Sequence, residues 1–511
     1  MRGIIVGDNF YDHPRVAIIR TNGAHRVAGL MRSQGLEVEV LDFFNSWEMT
    51  ELEKVLKAYC PDFIGLSFGL GRMDDTRINN FISLAKEINP NTKVIAGGNQ
   101  VLCNSINNID LNFKGFADGA VEDIVLYLKT GVYPKSELVK DFNLGMEKKV
   151  VDCSHYYSKF DLSNLRTNYT ANDFLSPHEN LTLETSRGCI FKCKFCNFPL
   201  IGKNKNDYIR TKEDLKQEII YNYETYGISQ YSITDDTFND NEIKINNLYE
   251  ISQEIDFELK FMCYARIDLL HARPGSLDKM VKFGVKGMFL GIESLNLETS
   301  KLIGKGFAGE KLLDYLREVK QKYPKLHFIG SYIIGLPKET LEQARYNINL
   351  AIDEGLIDNS PMYALHIPKD TGGIDTSIFS KEWDQYGYEE MSLDEINDLL
   401  EQPKYSMLKD VDYETFGKHN VIWKNEHMNY LDAQLGALQI RADIEPKTGL
   451  GGWNCFAAAY TKIPVEELLQ LKRTEWDWEY VKKAATDFVE DYKRKKISVF
   501  YNEPPDIDNS Y

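Results

Sequence analysis

From residue 181 onward the chain repeats one unit, a short apolar strand followed by an amphipathic helix. The strands read "LTLETS" (181–186), "QYSITDD" (230–236), "KFMCYAR" (260–266), "KGMFLGIES" (286–294), "HFIGSYIIGLP" (327–337) and "PMYALHI" (361–367). Between the first two, residues 211–227 have a Thr cap, an acidic first turn and a Gly stop, as a helix requires. Six such units in about 190 residues are too many for hairpins and predict a parallel, partial (β/α)6 TIM-type barrel. Chemistry in such a fold collects at the carboxyl ends of the strands.

A second alternation precedes it. "GIIVGD" (3–8), "VEVLDF" (38–43), "FIGLSFGL" (63–70) and "KVIAGG" (93–98) are near-continuous apolar runs, as buried parallel strands are, with helical patterns between them. A last short strand is expected at 114–118. This predicts an α/β, doubly wound domain over residues 1–135, with a ligand cleft outside its strand ends. Residues 136–180 lose the rhythm and read as a linker. The barrel is expected over 181–372 and a mainly helical C-terminal domain over 373–511.

At the end of the first barrel strand lies "SRGCIFKCKFCNF", with Cys189, Cys193 and Cys196 spaced C-x3-C-x2-C. The other five cysteines (Cys60, Cys103, Cys153, Cys263, Cys455) are scattered and read as small buried hydrophobes. A structural zinc needs four N/S ligands, and His178 lies on the far side of a strand. A redox pair would leave Cys189 unexplained. Thiolates also hold iron–sulfur clusters, and a [4Fe–4S] cubane held by three would keep one iron open. Gly188 allows the tight turn, and Arg187 is placed to hold a negatively charged cluster.

These residues resemble the radical S-adenosylmethionine (SAM) superfamily, in which the open iron binds SAM and an electron cleaves it to a 5′-deoxyadenosyl radical that abstracts hydrogen from substrate. The resemblance covers about residues 181–370 and includes Phe195 before the last cysteine. It implies that Cys189, Cys193 and Cys196 are both the metal ligands and the catalytic residues. It implies SAM contacts from Asp235 and Asp236 after the second strand, Arg266 after the third, Glu293 and Ser294 after the fourth, and Gly335, Leu336 and Pro337 after the fifth. The bland reading of these strand-end residues is helix caps and turns.

The first domain resembles the cobalamin (B12)-binding-domain branch of the same superfamily, many of whose members methylate carbon. The D-x-H-x-x-G pattern that supplies a histidine ligand is absent: "GDNFYDHP" has no histidine at that spacing, and His13 falls three residues late. Either a corrinoid is held without that ligand, in a cleft that Ser67, Gly97 and Gly98 could line, or the domain has kept its fold and lost its cofactor. The expected function is therefore a radical SAM enzyme: a cobalamin-dependent C-methyltransferase with corrinoid, another C–H functionalisation or rearrangement without it. A non-catalytic iron–sulfur protein is the reading from a different class.

Other expectations are fewer. The formal charge is −17, against a nonspecific grip on nucleic acid; Lys203, Lys205, Arg210 and Lys212 read as a solvated face. No apolar run reaches membrane-span length and no signal peptide is read, so the cytoplasm is expected. The partners expected are a small-molecule or peptide substrate and a flavodoxin- or ferredoxin-like electron donor. In the C-terminal third, Trp453 reads as part of a loop entering a core helix. His419, Trp423 and His427 read as a packed face, and His366 and Lys369 as weak substrate contacts.

Overall fold

In the computed structural model the described residues are all but 10–17, 70–72, 99–100, 102–105, 107, 135–138, 144–146, 158–159, 163–164, 197–203, 205–206, 370–376, 450–451 and 502–511. His13, Cys103, Lys203 and Lys205 lie outside them, as does the junction expected at 372–373.

The first domain is built on seven strands: β1 (Arg2–Gly7), β2 (Glu37–Leu41), β3 (Phe63–Ser67), β4 (Lys93–Gly98), β5 (Leu111–Lys114), β6 (Val139–Asn143) and β7 (Glu147–Asp152). Their order is β2-β1-β3-β4-β5-β7-β6, parallel except for β6 against β7. The sheet thus runs on into the segment read as a linker. The chain order reverses beside β1 and β3, which is where such sheets open a cleft.

The second sheet is wholly parallel: β8 (Leu181–Leu183), β9 (Gln230–Ile233), β10 (Lys260–Ala265), β11 (Val285–Glu293), β12 (His327–Ile334) and β13 (Met362–Ala364), paired in that order. β8 and β13 are its two edges, so it is an open half-barrel. Its faces carry the large core of Leu, Ile, Phe and Tyr that the apolar runs predicted.

The C-terminal region is mainly helical, with one two-stranded sheet, β14 (Glu389–Glu390) with β15 (Trp423–Lys424). It is not one packing unit. The helix Tyr430–Ile444 and its neighbours join the half-barrel core. Residues 455–500 join the core of the first domain instead. The helix Trp478–Tyr501 buries two lysines there. Lys496 Nζ meets Glu39 at 2.7 Å and Asp173 at 3.4 Å, and Lys493 meets Glu51 at 2.9 Å. Nearby, Arg20 donates to both oxygens of Glu179 (2.9 and 2.8 Å), and His25 meets Asp42 at 2.7 Å. The chain ends are thus tied across the first domain by buried ion pairs, each of which has a partner, as burial of charge demands.

Candidate active site

The carboxyl ends of both sheets face one cavity of about 910 Å³. Its lining includes Cys189, Cys193 and Cys196, Phe195, Asp235, Asp236, Arg266 and Glu293. Ser67, Gly97 and Gly98 of the first sheet line it too.

The thiol loop is held at its base. Arg187 N–H donates to Tyr208 O (3.0 Å) and Arg210 N–H to Thr185 O (2.9 Å), so the returning chain pairs with the departing one. Gly188 sits at φ +84°, a turn that needs glycine. Asp235 fastens the strand end beneath: it accepts the N–H of Thr185 (2.7 Å) and Ser186 (3.0 Å) and both their hydroxyls. Lys244, fully buried, lies 3.2 Å from Asp235 and 2.6 Å from Asp240. Asp235 thus fastens the strand end while also lining the cavity. Arg187 is also engaged elsewhere. It donates to Asp118 of the first domain (2.9 Å) and to Glu184 (2.9 and 3.0 Å), and Arg26 meets Glu184 at 2.7 Å. These charges clamp the two domains at the cavity wall.

One buried sulfur has a polar hydrogen at hand, and the other lies beside a hydroxyl that donates to Asp236 O (2.7 Å). Arg266 Nη1 donates to Cys193 Sγ at 3.2 Å, and the Thr237 hydroxyl lies 3.4 Å from Cys189 Sγ. The rest of the Arg266 guanidinium pairs with Asp268 (2.8 Å) and stacks over Phe191 (4.0 Å), so it braces the loop. Burial pushes the Cys189 thiol up from its ordinary value, more than Thr237 lowers it. Donors aimed at sulfur suit thiolates that carry a negatively charged group. Among the described residues, no three His, Cys, Asp or Glu side chains converge on a single metal ion.

Asp236 and Glu293 are the carboxylates that the cavity keeps. Asp236 is accessible from the cavity but surrounded by protein. Burial, then the charges of Asp235 and Glu184, push its carboxyl up to about 7 against Lys244 and the Gly188 N–H. Glu293 ends β11 at φ +65°, where the pairing to β12 slips by one residue. Such bulges re-aim a side chain beside a site. Its carboxyl lies 3.4 Å from Lys305, and burial holds it above the ordinary range.

Four expected contacts do not line the cavity. Ser294 is buried with its hydroxyl donating to Glu339 (2.6 Å). Gly335, at φ +96°, packs under Trp423 and accepts the Tyr388 hydroxyl (2.8 Å); Leu336 is fully buried. Pro337 O accepts from Thr299 (2.8 Å). Gly335, Leu336 and Pro337 build the turn after β12, and Ser294 follows β11. Residue reading missed Thr237 and Lys244. The latter left a signal, a lysine on the apolar stripe it shares with Leu248 and Ile251. His366 does line the cavity, as does Phe456 from the C-terminal region; nothing is described of the Trp453 side chain.

On the first-domain side the wall is glycine. A Cβ at Gly23 would meet only Ser67 Oγ, at 3.9 Å, and one at Gly97 only Phe113, at 3.8 Å. Neither has a left-handed backbone, so conformation does not demand glycine there. A side chain at either position would instead occupy cavity space. Among the described lining residues the one histidine is His366, on the half-barrel side.

Residues 183–351 match the radical SAM superfamily. An uncharacterized methyltransferase of Pyrococcus horikoshii is 25% identical over 349 residues, 64% of this chain and 72% of that one. The cytidylyl-2-hydroxyethylphosphonate methyltransferase of Streptomyces wedmorensis is 21% identical over 404 residues, 65% of this chain and 73% of that one. The radical SAM methyltransferase TsrM of Kitasatospora setae, solved with a tryptophan substrate and a SAM analogue, superposes with a TM-score of 0.61 at 14% identity, covering 95% of this chain and 98% of its own. TsrM has also been solved with cobalamin and a [4Fe–4S] cluster. Residues 183–351 are thus a radical SAM domain, and the fold of the chain as a whole is similar to that of TsrM.

Proposed function

We propose that this radical SAM enzyme is a cobalamin-dependent methyltransferase that methylates carbon. One observation carries the reading: the three thiols and the glycine wall of the first domain face the same cavity. A cluster on Cys189, Cys193 and Cys196 supplies the electron that cleaves SAM, and a corrinoid supplies a methyl carrier; the chain's own residues do the rest. The thiol loop is preset by Asp235 and Lys244, and Arg266 offsets thiolate charge. Asp236 and Glu293 are the carboxylates left to hold the ammonium and hydroxyl groups of SAM. Gly23 and Gly97 leave room for a corrin face. No histidine stands at the D-x-H-x-x-G spacing, so a corrinoid in this cleft would be held by residues other than that motif's histidine. The half-barrel aromatics Tyr264 and Phe289, 4.8 Å apart, form the wall for a small-molecule substrate and help exclude water.

The test is anaerobic reconstitution with iron, sulfide and cobalamin, then desalting. Corrinoid bands that stay with the protein, and transfer of a deuterated methyl from SAM to an acceptor, are expected. Iron–sulfur absorbance with no retained corrinoid would overturn the cobalamin part and leave other radical chemistry.

A further inference from the structure

Residues that point into the half-barrel alternate along each strand, and the strand pairing sets them in layers. Ser232, Met262 and Gly287 stand side by side in the lower layer. Tyr264, Phe289 and Ile329 do so in the next, and Ile333 stands beside Tyr363 nearer the carboxyl ends. Burial falls in the same direction. Met262 and Ile329 are buried, Tyr264, Phe289 and Ile333 are half-buried, and Tyr363 is 59% exposed. The half-barrel therefore holds a chamber that opens toward its carboxyl ends and is closed below.

The C-terminal region closes it. Cys455 Sγ lies 3.7 Å from Ser232 Oγ in the lower layer, and the next residue, Phe456, lines the cavity while only 3% exposed. Phe456 packs in one core with Met262 and Ile329, so its ring is the floor. The walls above it are apolar: Tyr264, Phe289, Ile329 and Ile333. Two hydroxyls across from them are turned back to the protein, Ser232 donating to Asn180 Oδ1 (2.9 Å) and Thr234 to Leu183 O (3.4 Å). The cations are spent as well. Among the described lining residues, Arg20 pairs with Glu179 (2.8 Å), Arg26 with Glu184 (2.7 Å) and Arg187 with Asp118 (2.9 Å). Arg266 pairs with Asp268 (2.8 Å) and Lys305 with Glu293 (3.4 Å). A carboxylate or phosphate pushed into this chamber would be buried without a counter-ion, at a cost in free energy.

We propose that the half-barrel chamber takes an uncharged, apolar, ring-bearing group of the substrate, and that Phe456 is the residue that limits how long that group can be. The inference rests on the reading of the cavity as the methyl-acceptor site and names the class of acceptor it fits. A charged part of the same molecule stays at the mouth, on the side of Tyr363 and His366, both exposed and both lining the cavity. Phe456 acts by fit alone, and no bond is made or broken at it.

The experiment uses the full-length protein, anaerobically reconstituted with iron, sulfide and cobalamin. Equilibrium dialysis at neutral pH compares 2-naphthol, the anionic 2-naphthoate and the longer 4-phenylphenol. Wild type is expected to bind 2-naphthol at least about tenfold more tightly than 2-naphthoate. Truncating the floor makes ring-sized space, since an apolar cavity of about 150 Å³ already accepts benzene. Phe456→Ala is therefore expected to raise affinity for 4-phenylphenol about tenfold relative to 2-naphthol. Phe456→Leu should move that ratio the same way by less, and it decides the matter if circular dichroism shows the alanine variant unfolded. Phe81→Leu, in the same core but away from the cavity, should leave the ratio unchanged. The proposal falls if 2-naphthol does not bind, if 2-naphthoate binds as tightly, if the folded Phe456 variants keep the wild-type ratio, or if Phe81→Leu moves it as far. Corrinoid retention is read in the same samples. A protein that keeps no corrinoid yet sorts the probes as expected would overturn the cobalamin reading and leave the chamber's specificity standing.

Discussion

Removing the Lys244 ammonium should cost more than any single change at the cavity wall. Lys244 is fully buried, with Asp235 at 3.2 Å, Asp240 at 2.6 Å, and hydrogen bonds to Ser186 Oγ (2.9 Å) and Thr237 O (2.6 Å). Lys244→Met fills the same space but leaves two buried carboxylates without their cation. Breaking a buried pair from one side typically costs about 3–5 kcal/mol. The hydrogen bonds lost with it are part of that figure and are not added again. Asp235→Asn, which keeps shape and an acceptor oxygen, should cost less, and the double variant should recover part of the loss, since only Asp240 is then left without its cation. The assay is denaturant unfolding of the four proteins followed by circular dichroism, read as a double-mutant cycle. A coupling energy below about 0.5 kcal/mol, the usual spread for independent sites, would refute the assignment of Asp235 to the scaffold.

Other consequences are separately measurable. Gly23→Leu and Gly97→Leu should leave the fold intact by circular dichroism yet abolish corrinoid retention, because each new side chain projects into open cavity space. SAM affinity should weaken as pH falls below about 7, where Asp236 takes up a proton, and Asp236→Asn should flatten that profile in isothermal titration. His327 is buried and burial holds its pKa down to about 4, more than Asp358 raises it. The unfolded chain therefore binds the extra proton first, and stability should be full above pH ~6.5 and fall toward pH ~4 by up to about 3 kcal/mol. His327→Phe should remove that slope in a pH series of unfolding curves. Lys496→Met, which orphans Glu39 and Asp173, should destabilise by about 3–5 kcal/mol in the same assay.

The two β/α rhythms were legible because buried parallel strands are apolar on both faces. The runs at 3–8, 38–43, 63–70 and 93–98 correspond to β1 to β4, β4 over the same residues. β6 and β7 were missed because "VKDFN", at the sheet edge, and "EKKVVD", next to it, are charged and lack the apolar run of the central strands. Short-range spacing made the thiols readable. The Arg187 pair with Asp118, 69 residues apart, could not be, since a long-range ion pair leaves no local pattern. Strand-end position likewise does not tell a residue that lines the cavity, as Asp235, Asp236 and Glu293 do, from one packed away from it, as Ser294 and Gly335 are. The C-terminal split was hidden too, although Lys493 and Lys496 fall on the apolar stripe with Val489, Tyr492 and Phe500. Of the scattered cysteines, Cys153, Cys263 and Cys455 are buried as expected, while Cys60 is half-buried in a left-handed helix cap.

The most direct test of the central claim is electron paramagnetic resonance of the anaerobically reconstituted, reduced protein, with and without SAM, for wild type and for Cys189→Ala, Cys193→Ala and Cys196→Ala. The account predicts a [4Fe–4S] signal in wild type that changes when SAM is added, and its loss in each variant. A wild-type signal indifferent to SAM, or a variant that keeps the full signal and iron content, would contradict it.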